Sequence, residues 1–391
     1  MSDQEEYTPI IICNIINHGH TYDEWSTSFI IGMSKIPGVK RIKVMVTPPN
    51  GSSGIQWPEK FEKLEFLDYR KPLNMLRIPL KMRRIKGDPV IIVYGPTAFG
   101  EGNLSNLIGM ILPVLISKLS QKNVKIINQG SVFTHDSEAL GYKGLKDKLR
   151  RNVVKSIEKF VYKRIRTYFQ LDYYKEIVTQ KIGKKSVAGV MRSDFIDPIA
   201  TLYLNDLDNL RQMERNKEHD RIRILLHGFW GPQKDPETAL IAIKNLKRNY
   251  KNIDLIVSGG INHHFPGYAE YFRGLLNDFN DVIDKYLGYV DEKELAKLFI
   301  ENEIVLMPYR ASGGQSGVLE FASFFENIVV CTDFPEFREE KKSDFIILTN
   351  LSEFELSIEK AIEMVKTLPK EIEVQTKIRT VVKNISNFLF D

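Results

Sequence analysis

Apolar and polar positions follow two different periods along this chain. Short runs rich in Ile, Val and Leu are separated by longer stretches in which apolar residues recur every three or four positions. In the C-terminal half the β-rich runs stand at 221–228 (RIRILLHG), 253–259 (IDLIVSG), 283–290 (IDKYLGYV), 303–309 (EIVLMPY), 327–333 (NIVVCTD) and 344–349 (DFIILT). Helical patterns fill the gaps at 236–249, 268–279, 292–300, 316–326 and 353–367. Continuous apolar strands alternating with amphipathic helices predict a parallel sheet covered on both faces, which is a doubly wound α/β domain. The N-terminal half repeats the theme more loosely. Strands are expected at 9–16, 41–47, 89–95 and 124–130, with helices near 24–36, 72–84, 104–121 and 142–168. The polar segment 201–220 separates the two patterns and reads as a linker. The expected plan is a domain over 1–200, a second over 221–370, and a last helix within 371–391 that packs back on the first.

Composition narrows the class. A chain of 391 residues, 43% hydrophobic and 27% charged, suits two soluble globular domains. Cys13 and Cys331 each sit inside an apolar run and read as buried thiols. The longest apolar stretch, Leu107 to Leu119, is interrupted by Pro113 and Lys118 and falls short of the roughly 20 residues a membrane span needs. The opening residues MSDQEEY are polar and acidic, so no secretory signal is expected and the chain is placed in the cytoplasm.

Charge changes the picture more. Residues 1–200 carry 31 Lys and Arg against 19 Asp and Glu, a balance of +12; the remainder carries 24 against 31, a balance of −7, and the two make the net +5. A basic half beside an acidic half implies that one half meets something anionic. The densest run is 143–166, with ten Lys and Arg interleaved with Leu145, Leu149, Val153, Val154, Ile157, Phe160 and Val161 at helical spacing. A basic amphipathic helix of this kind suits an anionic membrane surface, and Tyr69 to Lys86 adds a second basic patch. An ordinary core-facing helix with a solvated basic face is the alternative. Nucleic acid is not expected, because neither patch is interleaved with aromatics at stacking spacing.

In open parallel sheets, ligands bind beyond the carboxyl ends of the strands, so the chemistry is sought in the loops there. The strongest is PYRASGGQSGVLEFAS, 308–323, where a strand ends at Tyr309, a glycine-rich turn carries Gly313, Gly314 and Gly317, and a helix begins near Ser316. Glycines allow close backbone approach, and first-turn amides with the helix dipole favour a phosphate. Glu320, a turn further on, suits the two hydroxyls of a ribose. In HGFWGPQKDPE, 227–237, a strand ends at His227 and a helix begins near Pro236, with Lys234 placed to neutralise a diphosphate. INHGHTYDEWSTS follows the first strand; Gly19 allows approach to a phosphate, and His18 and His20 are candidates to touch acceptor or sugar. Each segment also has a structural reading, as a strand–helix turn, a solvated lysine or capping histidines. Asp206 and Asp208 fall in the linker, and His263 and His264 have no further ligands at zinc spacing, so no metal site is expected. No GxxxxGK[ST] occurs and no GxGxxG opens the first helix, which speaks against a kinase or a dehydrogenase.

In this order the segments from Gly228 to Lys234, Gly259–Gly260, YLGYVDEKELAKLF (286–299) and Gly313 to Glu320 resemble the C-terminal domain of the retaining GT-B glycosyltransferases of family 4. The resemblance covers 221–335 well and the N-terminal half weakly. It implies two Rossmann-like doubly wound domains facing a cleft, and transfer of a sugar from a UDP- or GDP-linked donor to a glycan or lipid-linked acceptor, without metal or other cofactor. Lys234 and the loop of Gly314, Gln315, Ser316, Gly317 and Val318 would hold the diphosphate beside Gly228. Glu320 would bind the ribose, and the backbone at Tyr289 and Val290 would flank the base. VFTHD (132–136) resembles the family's strand-end histidine segment, which would put His135 near the donor sugar. Lys234, Glu320 and His135 are therefore the expected catalytic groups. Two positions depart from the pattern: Ser312 stands where the family has a second Glu, and Phe229 where it has an Arg, a charge that Arg310 is expected to replace. The alternatives are a nucleotide-sugar epimerase, or a silent scaffold on the same plan that binds membrane or partner through its basic half.

Overall fold

The computed structural model describes residues 7–13, 21–45, 57–64, 75–95, 103–134, 144–183, 189–192, 194–200, 221–262, 265–312, 314–341, 343–368 and 372–391. The chain divides into two compact units. The first takes in the described residues up to Ala200 together with Ile378–Asp391, and the second runs to Lys377. The expected linker at 201–220 lies outside the described residues.

The first unit runs β1 (Ile10–Ile12), α1 (Thr21–Ser34), β2 (Ile42–Met45), β3 (Phe61–Leu64), α2 (Ile78–Met82), β4 (Val90–Tyr94), α3 (Asn103–Ser120), β5 (Val124–Asn128), α4 (Leu145–Tyr162), β6 (Arg166–Phe169), α5 (Asp172–Ile182) and β7 (Gly189–Val190). Its sheet has the order β3-β2-β1-β4-β5-β6-β7, with every pair parallel. The central strands are buried on both sides, as in VIIVY of β4, which is why they read as unbroken apolar runs. Helices α2, α3 and α4 lie side by side.

The second unit runs β8 (Ile222–His227), α6 (Pro236–Asn249), β9 (Ile253–Ser258), α7 (Tyr268–Asp278), β10 (Lys285–Tyr286), α8 (Glu292–Glu301), β11 (Ile304–Met307), α9 (Gly317–Phe324), β12 (Ile328–Thr332), α10 (Pro335–Glu340), β13 (Ile346–Thr349) and α11 (Phe354–Met364). Its parallel sheet has the order β10-β9-β8-β11-β12-β13. The core is built from Ile224, Leu226, Ile243, Leu255, Leu306 and Val330 among others. A last helix, α12 (Val374–Phe390), places Ile378–Asp391 in the first unit. There Ile385 packs against Gly32 of α1, and Phe388 meets Phe29 and Tyr168 edge-on. Lys125 of β5, fully buried, donates to the Phe388 and Leu389 carbonyls at 2.9 and 3.1 Å, capping the helix with a cation at its negative end.

Three expectations need correction. The helix expected over 142–168 ends at Tyr162, and Arg166–Phe169 is a strand. Val161, Ile165 and Tyr168 fit helical spacing, but Thr167, Tyr168 and Phe169 are strand formers that pair with β5. The run 283–290 forms strand only at Lys285–Tyr286, an exposed edge, because Gly288 turns the chain at φ 61°. The helix near 72–84 is shortened to Ile78–Met82, with its first residues outside the described range.

Candidate functional site

Chain order in the second sheet reverses between β8 and β11, which are hydrogen-bonded neighbours. In such sheets a crevice opens at the point of reversal. The two loops that follow these strands are 228–235 and 308–316, the two richest in candidate chemistry.

The floor beneath them is made of glycine backbone. Gly259, after β9, has φ 110°, and a Cβ there would lie 1.8 Å from the Gly228 carbonyl oxygen. Its amide donates to the Gly288 carbonyl at 2.5 Å. No other residue fits at 259, because the obstructing atom is backbone that belongs to the neighbouring strand end.

Lys234 folds back over this floor. A Cβ on Gly228 would meet its Nζ at 2.6 Å. The ammonium donates to the Tyr309 hydroxyl at 2.6 Å and stands 4.1 Å from the centre of the Tyr309 ring. The backbone is clamped on both sides: Trp230 N donates to Gly260 O, Arg310 N to Gln233 O and Asp235 N to Pro308 O, at 2.7–2.9 Å. Two loops distant in sequence are thereby one rigid element.

Asp235, buried at the entry to α6, uses both carboxylate oxygens. Oδ2 accepts from Thr238 Oγ1 at 2.8 Å, and Oδ1 from an Arg310 nitrogen at 2.9 Å. Arg310 is thus committed to a buried carboxylate, which offsets part of the charge expected of it in place of Phe229. Its guanidinium is held further toward the charged form, first by that hydrogen bond. Tyr271, which donates to Glu237 at 2.9 Å, is pushed up to about 12 by burial and then by that bond. His227 lies beneath, its Nδ1 2.8 Å from Ser258 Oγ. Burial, and then the charge of Lys234, lowers its pKa to about 3, so the ring stays neutral near pH 7 and serves as packing.

In the second loop, Ser312 Oγ donates to the Gly314 carbonyl at 3.2 Å, so the side chain closes its own turn. Ser316 is the N-cap of α9, its Oγ accepting from Leu319 N at 3.4 Å. The first-turn amides of Gly317 and Val318 have no intrahelical acceptor by the geometry of any helix start. Glu320, 5% exposed, accepts a hydrogen bond from the Gln315 side chain. Tyr289 is half exposed, its ring edge 3.9 Å from where a Cβ on Gly260 would stand, and Val290 beside it is partly buried. The fold therefore gathers Gly228, Lys234, Arg310, Ser312, Gly314, Gln315, Ser316, Gly317, Val318 and Glu320 on two clamped loops, with Tyr289 and Val290 on the flank. A cation, free amide donors and a buried carboxylate at one strand reversal can bind a nucleoside diphosphate.

His18, Gly19, His20 and His135 lie outside the described residues, as does Gly313. The described residues 131–134 follow β5. Glu158 of α4 is buried and accepts from Ser131 Oγ at 2.7 Å and Val132 N at 3.2 Å. Burial raises its carboxyl to about 8, against the smaller opposing effect of those bonds. Sequence reading missed Glu158, Asp235 and the role of Tyr309. An acid in an otherwise basic helix at 158, and an Asp directly before a helix-starting Pro at 235, were the available signals.

No family model matches the chain, and no curated protein sequence does. Solved structures do, and they define the class: the chain has the fold of the GT-B glycosyltransferases. Sucrose-phosphate synthase from Thermosynechococcus elongatus superposes with a TM-score of 0.65 at 10% identity, over 98% of this chain and 95% of that one. HepE from Anabaena, in complex with UDP-glucose, gives 0.62 at 11% identity over 98% and 99%. UDP-GlcNAc 2-epimerase from Neisseria meningitidis, bound to UDP-GlcNAc, gives 0.58 at 13% identity over 98% and 99%.

Proposed function

We propose that the chain is a glycosyltransferase of the retaining, metal-independent kind, moving a hexosyl group from a UDP- or GDP-linked donor to a glycan or lipid-linked acceptor in the cytoplasm. The observation that carries this reading is the clamp between the loops after β8 and β11, which sets the Lys234 ammonium over glycine backbone and on Tyr309, in the loop that leads into α9. Negative charge develops on the leaving diphosphate as the glycosidic bond breaks. A fixed ammonium and first-turn amides stabilise that charge without reorganising at the moment of reaction. Tyr309 holds Lys234 in place until phosphate oxygens replace its hydroxyl as acceptor. Glu320 takes the ribose hydroxyls, with Gln315 fixing its carboxylate. Tyr289 and Val290 flank the base.

An epimerase is the second reading, favoured by the superposition on a 2-epimerase at nearly the same TM-score as on HepE. Incubation with a panel of UDP- and GDP-sugars separates the two. The transferase reading predicts slow nucleotide release that accelerates with an acceptor, and a product that keeps the donor's anomeric configuration by NMR. Conversion of the donor sugar without any acceptor would replace it with the epimerase reading. A folded protein that releases no nucleotide from any donor would point to the silent scaffold, for which Ser312 is the sequence sign.

A further inference from the structure

Helix α4 has two apolar stripes, and only one of them is core. Val154 and Val161 face inward with Glu158 and Tyr162. Leu145, Leu149 and Val153, spaced four apart on another face, are 85%, 67% and 40% exposed. The neighbouring helices carry more exposed apolar side chains. Leu76 and Leu80 at α2 are 45% and 60% exposed, and Leu104 in the first turn of α3 is 59% exposed. Helix α2 packs on α3, and α3 on α4, so these leucines stand on neighbouring helices. Leucines this exposed on neighbouring helices call for a partner.

Basic side chains surround them. Along α4 stand six Lys and Arg against Asp147 and the buried Glu158. Of these, Lys146, Lys148, Arg150 and Lys159 are exposed, as are Arg77, Lys81, Arg83 and Arg84 around α2. Phe160, the exposed aromatic on α4, has one ring face covered by the Arg164 guanidinium at 4.0 Å. A second copy of this chain would bring one basic face against another, which Coulomb repulsion opposes.

We infer that the outer face of α4, together with the neighbouring α2 and start of α3, docks on an anionic lipid bilayer, with Leu145 and Leu149 entering below the headgroups while the flanking Lys and Arg meet lipid phosphates. Amphipathic surfaces of this composition bind in the plane of the interface, and long basic side chains reach upward from buried stems. The inference does not require the donor chemistry to be right, because vesicle binding is read without nucleotide.

The test is sedimentation of the full chain with vesicles of phosphatidylcholine alone and of phosphatidylcholine mixed with phosphatidylglycerol, across a salt series. Binding to the mixed vesicles only, falling steeply with salt, is expected. Lys146→Gln, Arg150→Gln and Lys159→Gln together should weaken it on the order of 100-fold and flatten the salt dependence. Leu145→Ser with Leu149→Ser should weaken it about tenfold or more while leaving the salt slope intact. All five positions are exposed, so folding should survive, which circular dichroism checks; Lys251→Gln with Arg273→Gln in the second unit should change nothing. Absence of binding to mixed vesicles, or binding indifferent to both sets of variants, would overturn the inference. So would concentration-dependent self-association of the wild type that the Leu→Ser pair abolishes.

Discussion

The charged side chains of the two clamped loops in the second unit have different tasks. Lys234 donates to Tyr309 and lies over Gly228, so its ammonium is positioned without being neutralised by a carboxylate at that contact. Lys234→Ala should therefore lower turnover on the order of 100-fold or more, as loss of one preorganised donor does, with little change in melting temperature; steady-state kinetics with the preferred donor checks it. Arg310 behaves differently, because it completes the shell of buried Asp235. Arg310→Ala should cost about 1–2 kcal/mol of stability in the second unit, discounted for the half-exposed guanidinium, and denaturant melts will show whether it does. Lys234 and Glu320 were legible in the sequence because each sits at a fixed offset from a strand end and a helix start. The Arg310–Asp235 pair was not, since it depends on how two loops pack, and no local spacing encodes that. The same holds for Ser312, whose hydroxyl closes its own turn.

Elements were legible where burial is two-sided and runs are long. β4, β5, β8, β9, β11 and β12 all appear where apolar runs stood in the sequence. The misreadings fall where periods overlap or burial is partial, as at Arg166–Phe169 and the exposed pair Lys285–Tyr286. Junctions between elements give the sharpest predictions. Gly259→Ala would drive a Cβ into the Gly228 carbonyl at φ 110°, so the ends of β8 and β9 must separate. A loss of about 3 kcal/mol or more is expected, with donor binding abolished even where the protein stays folded. Fluorescence of buried Trp230, which stacks on Phe272, reads the unfolding. In the first unit, Lys125→Met leaves the Phe388 and Leu389 carbonyls without their donor. The expected cost is about 2 kcal/mol, with faster amide exchange along α12.

The whole molecule should answer to pH in two opposed ways. In the first unit Glu158 is raised to about 8 and Asp197 to about 7, both by burial, from ordinary values of 4.5 and 3.8. Between the ordinary and the raised values the folded state holds protons that the unfolded state has lost, so stability falls as pH rises from about 4 to 8. Glu158→Gln should flatten that fall. In the second unit His227 is lowered from 6.5 to about 3, so its contribution is complete above 6.5 and is lost as pH drops toward 3. The chain's three tryptophans divide the readout, since Trp25 and Trp57 lie in the first unit and Trp230 in the second. Denaturant midpoints followed with Trp230→Phe, and separately with Trp25→Phe and Trp57→Phe together, should move in opposite directions between pH 4.5 and 6.5. The two-domain plan was legible from alternating periods, while the exposed leucine stripe of α4 was not, because one helical spacing served both a buried and an exposed stripe. The central claim, a nucleotide-sugar site at the reversal between β8 and β11, is tested most directly by calorimetry of UDP- and GDP-sugars against the wild type, Lys234→Ala and Glu320→Ala. The account predicts selective binding of one donor, weakened at least about tenfold in each variant. Binding unaffected by both variants, or none to any donor from a folded sample, would contradict it.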